Sequence, residues 1–149
     1  MRRRTTPLIL AAAVFVTAGG FVHLREWLDN YRDVPAAVAG SEVVRIGFLV
    51  NAGISFLLAA ALLGTVFILR RTSPYLVAAA LLFEAGSLAA LIVSRVGSLL
   101  GWMEPVWTRG ADQTRAVEIG ALLVLAGIVA ISGIERRRSV AAPAEADYR

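Results

Sequence analysis

Four long apolar segments constrain the fold of this chain more than any other feature of its sequence. They cover about residues 7–24, 46–69, 75–94 and 116–134. A helix needs roughly 17–25 apolar residues to cross about 30 Å of hydrocarbon. Hydrophobic residues make up 58% of the chain and charged residues 17%, a more apolar balance than that of ordinary soluble domains. The sequence therefore predicts an all-α membrane protein, a four-transmembrane-helix bundle.

The chain has the length of one domain. With 149 residues we expect a single integral membrane domain over residues 1–149. The helices are predicted at about residues 7–32, 43–69, 75–98 and 113–135, and residues 139–149 are expected to form a disordered tail. The first helix is expected to leave the membrane as an interfacial helical extension that Pro35 ends, because the residue before a proline disfavours helix.

Arginine distribution predicts the orientation of the bundle. Four spans place both termini and the hairpin near residues 70–74 on one side, and these flanks hold nine arginines against three acids. The other two connections hold six arginines against seven acids. Basic loops stay in the cytoplasm, so we expect both termini inside and a multi-pass protein of the bacterial cytoplasmic (inner) membrane. The alternative is a signal peptide cleaved after Ala18, which the length of the first helix disfavours.

Several functional classes find little support in the composition. All 15 basic residues are arginines gathered mainly in end clusters and not along one face, so a nucleic-acid partner is not expected. The chain has no cysteine and one histidine, which excludes disulfides and a typical zinc or haem site. We predict no catalytic residue, no metal ligand and no cofactor, and no enzymatic activity can be assigned.

The third apolar segment carries a polar stripe. Glu84 lies about nine residues past its start, or roughly 14 Å deep at 1.5 Å per residue. Ser87 and Arg95 follow at spacings of 3 and 11, which return to nearly the same helix face. Ionisable groups inside a span are expensive and are therefore candidates for function. A protonated, purely structural Glu84 and a snorkelling Arg95 are the alternatives.

Polar residues of the other helices are expected at a similar depth, in the outer half of the bilayer. Asn51 and Ser55 share a face of the second helix, Glu118 lies near the outer end of the fourth, and His23 ends the first. Arg45 is expected at the headgroups above them. A pocket open to the outer leaflet would explain this convergence, although Asn51 alone could serve a helix–helix hydrogen bond.

The segment after His23 is predicted to cover that pocket. Trp27 and Tyr31 follow His23 at spacings of 4 and 8, on one helix face, although both aromatic residues also suit the membrane interface as anchors. The full set of candidate ligand-binding residues is His23, Trp27, Tyr31, Arg45, Asn51, Ser55, Glu84, Ser87, Arg95 and Glu118.

Small residues are expected to let the helices approach closely. They recur at helical spacing, at Gly47, Gly53, Ala79, Gly86, Ala90, Gly120 and Gly127.

Three stretches together resemble a group of small bacterial four-helix membrane proteins. They are the His23–Leu24 pair, the turn from Tyr31 to Pro35, and the helix exit "GWME" at residues 101–104, with Gly97 off the usual spacing. In size and helix count the chain is loosely similar to the DoxX-like superfamily, some of whose members are linked to quinone-dependent oxidoreductases. The resemblance implies a four-helix bundle and brings no established activity.

Three functions remain open on the sequence. The first is an outward-facing polar pocket that binds a small ligand, lipid or quinone. The second is an accessory subunit of a larger membrane complex, and the third is a proton-coupled small-molecule transporter with Glu84 as the carrier site. The expected partners are the lipid bilayer, such a ligand, and a larger membrane complex or a second copy of the chain.

Overall fold

The computed structural model of the protein describes residues 2–69 and 73–141. Its helices are α1 (Arg2–Glu26), α2 (Ser41–Phe67), α3 (Pro74–Val96) and α4 (Arg109–Ala141), and a single π-helical turn (Trp27–Tyr31) continues α1. No β-strand occurs in these residues; Leu99 and Trp102 form an isolated bridge in the connection before α4.

All four helices are long and apolar enough to cross a membrane. The candidate spans have mean hydropathies of 1.9, 2.2, 2.3 and 2.3 in chain order. Their exposed surface is apolar as well, with Leu57 73% and Leu82 71% accessible. Long side chains of this kind would be costly in water and are stable in lipid. The prediction of an all-helical protein with four apolar spans is confirmed.

The helix ends differ from the predicted ones at several points. α1 begins at Arg2 and α4 begins at Arg109 and runs to Ala141, so the predicted helices were too short there. Residues 139–141, assigned to the tail, belong to α4, and the rest of that tail lies outside the described residues. The start of α3 follows its sequence signal, since Ser73 accepts a hydrogen bond from the Leu76 amide ahead of a proline at the first helical position.

The packing of the helices is unequal around the bundle. α1 packs extensively against both α2 and α4, and α4 packs against α3, whereas α2 and α3 touch little. Of the four contacts between neighbouring helices, the one between α2 and α3 is therefore the loosest; we call it the α2–α3 seam.

The bundle has an apolar half and a polar half. A core of Ile9, Val16, Leu62, Leu125 and their neighbours fills the half near the chain termini. The other half lies beneath the two longer connections, residues 32–40 and 97–108. We call this end of the bundle the loop end. Polar side chains are buried there, and they form the candidate site.

Not every small residue serves close packing between these helices. A Cβ at Gly120 would collide with the Phe15 ring, so this glycine does allow α1 and α4 to approach. The sites at Gly47, Gly53, Gly86 and Gly127 have nothing within 4 Å. The prediction that these four glycines promote close packing within the chain is wrong, because a side chain at any of them would enter open space and meet no neighbouring helix.

Candidate ligand-binding site

A hydrogen-bonded cluster joins all four helices near the loop end. Ser87 on α3 is its centre: its hydroxyl donates to Glu118 Oε1 on α4 and accepts from Asn51 Nδ2 on α2 at 2.6 Å. Ser55, one turn further along α2, donates to Asn51 Oδ1 at 3.3 Å. We call these four residues and His23 the polar cluster. Since each group bonds to another helix or to the next turn, the cluster is cross-linked internally.

His23 brings α1 into the polar cluster. Its Nε2 lies 3.2 Å from Glu118 Oε1 and 3.4 Å from Ser87 Oγ. Ser87 gives its one hydrogen to Glu118, so with Glu118 ionised His23 must carry a hydrogen on Nε2 to bond either oxygen. His23 is 7% and Glu118 1% exposed, and such a buried pair needs further hydrogen bonds to be favourable. Ser87 supplies one of them.

Glu84 lies outside this network. It is buried, at 3% exposure, one turn from Ser87 toward the Pro74 end of α3. Glu118 is close enough for the two carboxyl groups to repel one another. Glu84 thus points into the bundle and not toward the acyl chains, on the apolar side of the polar cluster.

A second group of contacts closes the loop end above the polar cluster. Arg95 Nη1 binds Glu104 Oε2 at 2.8 Å and donates to the Glu104 carbonyl oxygen at 2.7 Å. The Tyr31 hydroxyl donates to the same Oε2 at 2.6 Å. The Glu104 amide donates to the Ser94 carbonyl at 2.9 Å. Glu104 therefore fastens residues 97–108 to the ends of α3 and α1.

Aromatic rings connect the two groups of contacts. The Phe48 ring lies 5.3 Å from the His23 ring and stacks on Tyr31 at 4.3 Å, between centroids. Trp102 makes a T-shaped contact with Tyr31, with 6.1 Å between the ring centroids. The π turn contributes, because its Arg32 N to Trp27 O bond of 2.9 Å turns the chain less per residue than an α turn. His23 and Tyr31 consequently reach the same ring.

A cavity of about 150 Å³ lies between the polar cluster and the Glu104 contacts. A single water needs roughly 10–15 Å³, so the cavity has room for several waters or a small molecule. Most of its wall is apolar, formed by Val43, Val44, Phe48, Ala90, Leu91, Leu99, Trp102 and others. Its polar wall residues are His23, Glu26, Tyr31, Asn51, Ser87, Ser94, Arg95, Glu104 and Thr114. An apolar wall with a few convergent polar groups is typical of ligand pockets.

Two wall residues contribute buried polar atoms without a hydrogen bond. Among the described residues, His23 Nδ1, Arg95 Nε and Glu118 Oε2 are buried and make none, and His23 and Arg95 line the cavity. An unsatisfied buried polar group costs about 1–3 kcal/mol. A molecule in the cavity that accepted a hydrogen bond from Arg95 Nε would remove that cost.

The structure brings together most, but not all, of the predicted site residues. Those at the cavity wall are His23, Tyr31, Asn51, Ser87 and Arg95, and Ser55 and Glu118 stand behind them through hydrogen bonds.

Three of the predicted site residues do not line the cavity. Trp27 is absent from its wall because the π turn directs Tyr31 inward in its place. Arg45 binds Glu42 at 3.2 Å on the surface of α2. Glu84 lies deeper in the bundle than the cavity. The prediction of a pocket contact is therefore not supported for these three.

The site also contains residues outside the predicted ligand-binding set. Glu104 has the most contacts among them; the sequence pointed to it only as the last residue of the GWME helix exit at residues 101–104. Glu26 lies against the first turn of α4, where a Cβ at Gly110 would meet its carboxylate, and a helix N-terminus favours such a charge. Phe48 carried no signal, since apolar residues are ubiquitous here.

No group of three His, Cys, Asp or Glu side chains that could hold an ion occurs in residues 2–69 and 73–141.

No family model matches the chain, and neither a curated protein nor a solved structure matches it. The similarity to DoxX-like proteins stays a prediction.

Proposed function

We propose that this protein is a multi-pass protein of the bacterial inner membrane whose polar pocket binds a small ligand, lipid or quinone from the outer side. The observation that carries the proposal is the cavity, whose wall includes His23 and Arg95, each with a buried nitrogen that makes no hydrogen bond. A purely structural network would be expected to satisfy its own buried groups. In a chain this apolar, nine polar wall residues around one cavity are hard to explain by packing.

The orientation belongs to the same proposal. The arginine clusters support cytoplasmic termini, which would place the loop end and the mouth of the cavity outside. The π turn and the segment after it would then lie at the outer interface.

The transporter alternative has one supporting observation, the buried Glu84 beside Glu118. Transport also requires a path to the other face. The half of the bundle beyond Glu84 is filled by an apolar core that includes Ala13, Leu62 and Leu125. This favours a blind pocket. The accessory-subunit alternative would require that a partner complete the bundle.

The test is whether the purified protein carries a molecule in this cavity. Full-length protein would be purified in mild detergent, and its organic extract analysed by mass spectrometry. We expect one stoichiometric small molecule in wild type and its loss in Ala90→Leu, which fills the cavity. Ala89→Leu is the matched control, because Ala89 is exposed on the same helix. Equal recovery from both variants, or no molecule in any preparation, would contradict the proposal.

A further inference from the structure

Access to the cavity from water is blocked at the loop end. Residues 97–108, which we call the capping loop, are bound to the helix ends through Glu104. The 32–40 connection touches this loop backbone to backbone: Gly40 has φ of 73°, and a Cβ there would lie 2.6 Å from the Gly101 carbonyl carbon. Leu99 and Trp102 of the capping loop form the adjacent wall. The cavity is therefore covered where a water-soluble ligand would arrive.

The opening lies on the side of the bundle. Of the residues that line the cavity in the described part of the chain, Gly47 is the exposed one. It sits on α2 at the loose seam with α3, and a side chain added there would meet no atom within 4 Å. Its exposed neighbours are apolar, Ile46 at 57% and Val50 at 49%. Such a surface faces lipid, so the opening leads into the bilayer.

Charge in and behind the wall disfavours an anionic ligand. Glu26 and Glu104 line the cavity and Glu118 lies behind it, against one arginine and one histidine. Arg95 is already paired with Glu104, and His23 with Glu118. A phosphate would add a negative charge where carboxylates already outnumber cations.

A cationic ligand finds no free carboxylate, because Glu104 is paired with Arg95, Glu118 is paired with His23, and Glu26 accepts from Asn30 beside the first turn of α4. It would lie beside Arg95, and the wall offers no open aromatic cage of the kind that binds ammonium groups. The Tyr31 ring is stacked on one face by Phe48 and makes a T-shaped contact with Trp102. What the wall does include is Arg95, whose Nε is buried without a hydrogen bond, and Asn51, whose Nδ2 has a second hydrogen besides the one donated to Ser87.

We propose that the cavity takes the neutral, carbonyl-bearing head of a membrane-soluble molecule through the gap at Gly47, while the hydrocarbon chain of that molecule stays in the bilayer between α2 and α3. This rests on the proposed pocket function and names its ligand class. A carbonyl oxygen accepts from Arg95 Nε without bringing charge. The volume suits one ring or one short ester head, since a cavity of about this size accommodates benzene.

The test uses the full chain in phosphatidylcholine nanodiscs with a tritium-labelled decyl-benzoquinone. We expect saturable binding that tenfold excesses of decyl phosphate and decyltrimethylammonium do not displace. Unlabelled monodecanoylglycerol separates two carbonyl sources: displacement assigns the site to ester carbonyls as well, and no displacement assigns it to the quinone ring. If the charged decyl compounds displaced the label as effectively as unlabelled quinone does, the proposal of a neutral ligand would be wrong.

Gly47→Leu tests the lateral opening. We expect it to weaken quinone binding at least tenfold, with thermal stability unchanged because the added side chain enters open space. Gly53→Leu on the same helix is the control: its site is equally open but does not line the cavity, so binding should stay within twofold. Wild-type affinity in Gly47→Leu would refute access at this point.

The two levels of proposal fail differently. If Gly47→Leu binds the quinone normally while Ala90→Leu does not, the pocket proposal is supported and the lateral opening is refuted. If the quinone fails to bind but an extracted molecule is lost in Ala90→Leu, the pocket stands with another ligand class. If the protein carries no molecule and binds no probe, both proposals fail.

Discussion

Ser87 is the residue through which the polar groups of the four helices are linked. Its hydroxyl donates to Glu118, accepts from Asn51 and lies 3.4 Å from His23. Interhelical hydrogen bonds in membranes are worth about 0.6 kcal/mol on average and up to about 1.7. The exceptional feature here is that the one Ser87 hydroxyl takes part in several interhelical hydrogen bonds, and one of these is to the Glu118 carboxylate.

We predict that Ser87→Ala lowers the free energy of unfolding by about 1–2 kcal/mol, because it leaves Glu118 and Asn51 short of a partner. Unfolding in mixed detergent micelles measures this. Ser94→Ala is the control, since its hydroxyl bonds only to the Leu91 carbonyl of its own helix at 2.8 Å and its loss should change stability little. An equal effect of the two substitutions would show that Ser87 is not a hub.

Arg95 and Glu104 are expected to differ in their effect when replaced. The Arg95 side chain is 3% exposed and that of Glu104 24%. Removing one partner of a fully buried ion pair costs about 3–5 kcal/mol, so we expect about 2–3 kcal/mol for Arg95→Met at this partly open site. Glu104→Gln keeps a side-chain carbonyl oxygen that can accept from Arg95, so it should lower the free energy of unfolding by only about 1 kcal/mol. Chemical denaturation would contradict this if the order were reversed.

At the level of elements, the contact between the two longer connections depends on the backbone at Gly40. Gly40 has φ of 73°, a conformation that costs other residues roughly 1–2 kcal/mol. A Cβ at this position would also collide with the Gly101–Trp102 backbone, so no side chain fits. The contact between the 32–40 connection and the capping loop therefore requires glycine here.

We predict that Gly40→Ala destabilises the protein by at least about 2 kcal/mol and exposes the capping loop, because strain and collision add. Limited proteolysis should cut residues 97–108 faster than in wild type. Gly53→Ala is the comparison. It lies in a helix with open space around it and should be neutral or slightly stabilising. A capping loop as resistant in Gly40→Ala as in wild type would count against the loop contact.

The sequence predicted the elements better than it predicted the contacts between them. Hydropathy and length suffice to locate four spans, because lipid requires long apolar helices. Depth counting also placed His23, Asn51, Ser87 and Glu118 at one level, and the structure joins them. Counting residues along a helix gives the depth of a side chain but not the direction in which it points around the helix axis.

Arg45 shows that limit, since it lies near the expected level and yet pairs on the surface with Glu42. The π turn was equally invisible to the pattern, because a 4-residue spacing does not distinguish it from an α turn. The role of Glu104 could not be predicted, because it depends on how the connection folds back onto Ser94 and Arg95. Residue spacing does not encode that fold.

At the scale of the whole molecule, polarity is divided along the bundle axis. The half near the termini is an apolar core, and the half near the loop end holds the polar cluster, the cavity and the capping loop. α2 and α3 are joined by the shortest connection but packed the least. The close packing at three of the contacts between neighbouring helices and the loose packing at the fourth, which lies beside the cavity, support the proposed entry from lipid more than the transporter alternative.

The proposed orientation gives the last prediction. Because the chain contains no cysteine, single cysteines report their side of the membrane without background. We expect Ser98→Cys, exposed in the capping loop, to react with a membrane-impermeant maleimide added to intact spheroplasts, since basic flanks hold the opposite end inside. Thr72→Cys, which follows Arg70 and Arg71 in the sequence, should react only after permeabilisation. The reverse pattern would place the loop end, and with it the lateral opening at Gly47, in the cytoplasmic leaflet; the ligand would then come from that leaflet.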